Sequence, residues 1–207
     1  MIKITKITDV KKHLDGVTGV IFDLDDTLYG EKQYVLSGYK EIARSLNEPN
    51  AAVELWSFFE AGLPAIDEYL KKRGRLDLKE KCLEIYRNQF PDIRLYDGVT
   101  GLLDALKREN KKLGIITDGR VGGQKNKIAA LGLEKAVDDI IITDELGGVQ
   151  FRKPNDTAFR IMQSRWKLPF EQMIYIGDNI SKDFIAPEKL GMKYIYFRNP
   201  GGLYFKE

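Results

Sequence analysis

The stretch VIFDLDDTLYG, Val20 to Gly30, runs an apolar segment straight into three aspartates and a threonine. Side chains two apart on an extended strand share a side, so Asp23 and Asp25 can converge while Leu24 and Asp26 face elsewhere. In an open α/β sheet, ligands bind beyond the carboxyl ends of the strands, which is where this pair falls. Two carboxylates in a partly dry pocket repel each other unless a cation or a proton relieves them. The plainer reading, a side chain binding nearby backbone amides in a turn or helix cap, suits Asp26 best.

Short apolar runs recur along the chain at VTGVIF, KLGIIT, DDIIIT, QMIYIG and MKYIYF. They are rich in Ile, Val, Phe and Tyr and read as strands buried on both faces. Amphipathic segments lie between the later ones, over 99–110, 122–131, 154–166 and 183–190, with apolar residues at helical spacing such as Leu102, Leu103, Leu106 and Ile128, Leu131. The alternation predicts an α/β fold, a parallel sheet covered by helices. Residues 31–91 break it: Leu55, Trp56, Phe59 and later Leu78, Cys82, Ile85, Tyr86 fit helix faces, and no convincing strand appears. The expected organisation is a core of 1–30 and 92–207 with a helical cap, 31–91, set into it.

Lys+Arg number 33 against Asp+Glu 31, so charge argues for no polyanionic partner, nucleic acid included. The lone cysteine, Cys82, allows no internal disulfide and fits a reducing compartment. No apolar run approaches the about 20 residues that span a bilayer. The expected location is the cytoplasm, away from membranes.

A site at the end of the first strand should find its other parts at the ends of the remaining ones. After KLGIIT comes Thr117-Asp118-Gly119, a hydroxyl and a permissive turn suited to an anion. FRKPN brings Lys153 ahead of Pro154, a residue that suits a helix start. QMIYIG is followed by Asp178 and Asp183 in GDNISKD.

DLDDT, Thr117, Lys153 and GDNISKD, in this order and each after its own apolar strand, resemble the haloacid dehalogenase superfamily of phosphohydrolases across essentially the whole chain. The resemblance implies a Rossmann-like core with a helical cap inserted after the first motif. It implies that Asp23 attacks phosphorus and becomes an aspartyl-phosphate, and that Asp25 is the acid and then the base. Lys153, with Thr117 in the Thr117-Asp118-Gly119 turn, would bind the phosphoryl oxygens. Magnesium would be held by Asp23, the Asp25 backbone carbonyl and Asp178, with Asp183 as a direct or water-mediated partner. Asp23 should then stay ionised, while Asp25 needs a raised pKa to carry a proton near neutrality. Asp25 favours phosphate esters, since the dehalogenases of the superfamily lack this second aspartate. A phosphomutase of the β-phosphoglucomutase type is the alternative, weakened because the single histidine, His13, precedes the motif; a non-catalytic phosphometabolite-binding module is the rival from another class. Sugar phosphates or nucleoside monophosphates are the substrates that the resemblance suggests.

Other conspicuous residues have plainer readings. KKRGR, Lys71 to Arg75, reads as a solvated turn, Trp56, Phe58 and Phe59 as packing within the cap, and Arg120 either as solvent-exposed or as a contact to a second anionic group.

Overall fold

The structure, a computed structural model, describes residues 1–203 and 205. In chain order the elements are β1 (Ile2–Ile4), β2 (Gly19–Phe22), α1 (Glu31–Leu46), α2 (Ala51–Glu60), α3 (Ala65–Lys72), α4 (Lys79–Asn88) and α5 (Val99–Arg108). They continue with β3 (Lys112–Thr117), α6 (Val121–Ala130), β4 (Asp139–Ile142), α7 (Thr157–Trp166), β5 (Met173–Gly177), α8 (Ile185–Lys189) and β6 (Lys193–Phe197). The strands form one parallel sheet in the order β1-β6-β5-β2-β3-β4.

β2 lies in the interior of this sheet, with Val20 opposite both Leu113 and Ile174, and Phe22 opposite both Ile115 and Ile176. The chain leaves β2 towards β3 and β4 and then returns to its other side at β5, so the order reverses at β2 and a crevice opens at its carboxyl end. Both faces are buried, as the apolar runs require. Val20, Phe22, Leu113, Ile115, Ile174 and Ile176 pack with α5 and α6, whereas Ile21, Ile116, Met173 and Tyr175 pack with α7 and the α8 region. This is a Rossmann-like three-layer α/β fold.

Between β2 and β3, helices α1–α4 build a separate apolar cluster around Val35, Tyr39, Ile42, Leu55, Tyr69, Leu70 and Cys82. Gly38 lets α1 and α4 approach, because a Cβ there would run into Tyr86 and Gln89. Trp56 packs on Phe59, with ring centres 5.1 Å apart, and Phe59 meets Tyr39 edge-on. Arg73 and Arg75 of the KKRGR run pair with Glu48, and Arg73 also with Glu54. The two chain crossings into this module are tied together, Tyr96 N donating to Leu28 O at 2.9 Å. Among the described residues no helix is long and apolar enough to cross a membrane.

Two details differ from the sequence reading. Ile2–Ile4 adds an edge strand beside β6, a segment too short and too charged for its alternation to stand out. Helix α7 starts at Thr157 rather than Pro154, because the Asn155 side chain takes the Thr157 N–H at 2.9 Å and sets the first turn there.

Candidate active site

Asp23 leaves the sheet still held by it, its N–H donating to Ile176 O at 2.8 Å. Three residues on, Asp26 adopts a left-handed φ of 53°, a conformation that aspartate tolerates better than most side chains. Its carboxylate accepts the Glu31 N–H at 2.8 Å and the Leu203 N–H at 2.7 Å. Asp26 therefore shapes the turn into α1, while Asp23 and Asp25 line a cavity of about 280 Å³.

Lys153 is the centre of this cavity's charge network. Its Nζ lies 2.6 Å from Asp23 Oδ1, 2.8 Å from Asp183 Oδ1 and 2.8 Å from the Tyr175 hydroxyl. Burial alone would neutralise this amine, but Asp183 and Asp23 hold its pKa well above the usual value. Asp183 is completely buried; its Oδ2 accepts the Asn179 N–H, and its Oδ1 pairs with Lys153 at an angle that makes no hydrogen bond. Asp178 lines the cavity. Carboxylate oxygens of Asp23, Asp178 and Asp183 lie within 4.8 Å of one another.

The crowding of these carboxylates raises their proton affinity. Burial, with Asp183 adding to it against the pull of Lys153, pushes Asp23 up to about 7. Burial and the neighbouring Asp23 and Asp183 push Asp178 up to about 9. Hard oxygen donors that resist their own negative charge are the kind of set that suits magnesium, so Asp23, Asp178 and Asp183 fit a divalent cation.

Asp25 behaves oppositely to expectation. Burial would raise its pKa, but the Lys127 ammonium 2.7 Å from Oδ1, the Tyr29 hydroxyl and Gln124 Nε2 at 3.0 Å from Oδ2 hold it below the ordinary value. The carboxylate expected to carry a proton is held ionised instead. Lys127 and Gln124, three apart on α6, are the reason.

The second motif also divides differently. The Thr117 hydroxyl is buried and receives Gln124 Nε2 at 2.5 Å, so it lies behind the lining rather than in it. Gly119 turns the chain there with a φ of 144°. The Asp118 side chain, in a turn whose hydroxyl and backbone amides were expected to hold an anion, accepts the Lys182 ammonium at 2.8 Å, the Thr143 hydroxyl at 2.9 Å and the Lys153 N–H at 3.0 Å. An acceptor-only side chain so occupied orders the two lysines, and the backbone amides of the turn stay the groups suited to an anion. Arg120 is exposed and lines another groove, with Glu80, Glu84 and Arg87.

Several lining residues were not anticipated: Glu31, Arg152, Asn179 and Lys182. Arg152, Asn179 and Lys182 are immediate neighbours of residues the motifs single out. Glu31, Gln124 and Lys127 carry no such signal, because polar residues on helices read as surface.

The haloacid dehalogenase-like hydrolase family model matches residues 20–197. Among curated proteins, the glyceraldehyde 3-phosphate phosphatase of Methanocaldococcus jannaschii is 28% identical over 195 residues, covering 85% of this chain and 82% of that protein. A phosphoglycolate phosphatase of Cereibacter sphaeroides is 26% identical over 189 residues, covering 86% and 84%. Among solved structures, YfnB of Bacillus subtilis, bound to magnesium, superposes with a TM-score of 0.65 at 21% identity, covering 87% of this chain and 86% of that one.

Proposed function

The chain belongs to the haloacid dehalogenase-like hydrolases and is a phosphoric monoester hydrolase; on that premise we propose that it is a magnesium-dependent phosphatase of small-molecule phosphate esters, acting in the cytoplasm through a phosphorylated Asp23. The observation that carries this is Asp23 itself, a carboxylate at the end of an interior strand with Lys153 at 2.6 Å and further carboxylates around it. In the first step the Asp23 oxygen bonds to phosphorus while the bond to the leaving oxygen breaks. In the second, water loses a proton to Asp25, attacks phosphorus and frees both Asp23 and inorganic phosphate.

Lys153 and Lys182 supply positive charge to the phosphoryl oxygens. Asp23, the Asp25 backbone carbonyl and Asp178 would hold magnesium, with Asp183 as a direct or water-mediated partner that also fixes Lys153; the ion adds charge that lets one anion approach another. Asp25, ionised in the arrangement described, is set for the base role. Its acid role in the first step requires the Lys127 contact to loosen as the helical cap, α1–α4, moves over the bound ester. Cavity size supports short substrates: about 280 Å³ is at the small end for ligand pockets. The relatives named for glyceraldehyde 3-phosphate and phosphoglycolate support the same size class over a nucleotide.

The test is release of p-nitrophenol from p-nitrophenyl phosphate with and without magnesium. Wild-type protein is expected to turn over only with the ion. Asp23→Asn should lose at least about 10³-fold in kcat while keeping its circular dichroism spectrum, since the change removes a nucleophile and no core volume. Wild-type rates in that variant would end the assignment.

A further inference from the structure

Outside the three-aspartate cluster, the charged groups lining the pocket have opposite partners, with one exception. Asp25 faces Lys127 at 2.7 Å, Asp118 faces Lys182 at 2.8 Å, and Arg152 faces Asp144 at 2.6 Å. Glu31, at the first position of α1, lines the same pocket and has no cation at ion-pair distance among the described residues. Lys127 is the cation that acts on it most, but that ammonium is bound to Asp25 and rests over the Tyr34 ring, 4.3 Å from its centre. The neighbour whose negative charge weighs most on Glu31 is Asp25.

Position then gives this unpaired carboxylate a consequence. If Asp25 faces the leaving oxygen, whatever is attached to that oxygen extends along the wall that Glu31 shares. We infer that Glu31 selects the leaving group: it admits short, uncharged, hydroxyl-bearing alcohols and excludes those that carry a carboxylate. This rests on the phosphatase reading and on the role of Asp25 within it. A hydroxyl donates to a Glu31 oxygen, whereas a carboxylate brings only acceptors and a second negative charge into a poorly solvated pocket. Like charges a few ångströms apart away from bulk water repel strongly enough for at least a tenfold preference. Burial and Asp25 push Glu31 itself up to about 8, so the repulsion acts where Glu31 is ionised, above that pH.

The experiment compares kcat/KM for glycerol 3-phosphate and 2-phosphoglycolate at pH 8.5 with magnesium, in wild type and in Glu31→Gln, with p-nitrophenyl phosphate run alongside. Wild type is expected to favour glycerol 3-phosphate by about tenfold or more. Glu31→Gln should collapse that ratio by about the same factor, chiefly through a lower KM for phosphoglycolate. Glu31→Asp, which keeps the charge, should retain the sign of the preference. A wild type that turns over the aryl ester but ranks phosphoglycolate first, or a ratio unmoved in Glu31→Gln, overturns the Glu31 assignment alone. Silence towards all three esters overturns the phosphatase reading and this inference with it.

Discussion

Lys127 is the residue whose removal should be felt most widely. It is a buried ammonium 2.7 Å from Asp25, with its side chain 6% exposed and that of Asp25 18%. Deleting one partner of a buried ion pair leaves an uncompensated charge, which typically costs about 3–5 kcal/mol. Lys127→Met is therefore expected to lower unfolding stability by about 3 kcal/mol in urea titrations near pH 7. The sign with pH follows from Asp25, whose pKa is held below its ordinary 3.8. Its contribution is fully present above that value and is lost as pH falls through the lowered one, so the deficit of the variant should shrink in acid. A deficit that stays constant down to the acid transition would mean that Lys127 matters only as packing.

The loop between β5 and α8 is built with almost no spare room. Gly177 ends β5, and a Cβ on it would collide with the Asp183 carboxylate. Asp183 in turn takes the Asn179 N–H and pairs with Lys153, so a displacement there is passed to the lysine beside Asp23. Gly177→Ala is expected to weaken magnesium binding and cut kcat by about tenfold or more, because a site displaced by about an ångström loses much of its preorganisation. Magnesium titration of the variant, followed by calorimetry, checks this. Gly38 is as closely hemmed in within α1, by the ring of Tyr86 and the amide of Gln89.

The molecule as a whole should couple metal, pH and stability. Asp23 at about 7 and Asp178 at about 9 both lie above the ordinary 3.8, so between these values the folded state keeps protons that the unfolded chain has released. Stability of the metal-free protein should then fall as pH rises from about 4 towards about 9. A cation takes the place of those protons, and its binding releases them. The rise in melting temperature on adding magnesium is expected to be larger at pH 8.5 than at pH 6, as thermal unfolding at the two pH values would read; equal increments would count against Asp23 and Asp178 as ligands. Five of the sheet's six strands and their succession along the chain were legible, because burial on both faces of a parallel sheet demands continuous apolar runs and the motif residues come after those runs. Asp23, Lys153 and Asp178 are placed by chain position alone, one residue beyond a strand or on the loop that follows it. Lys127, Gln124 and Glu31 are not, since a polar residue on a helix has the same local signature whether it meets water or a buried carboxylate. That difference, and with it the charge state of Asp25, arises only when α6 and α1 pack around the end of β2, where burial and partner geometry outweigh the intrinsic behaviour of each side chain.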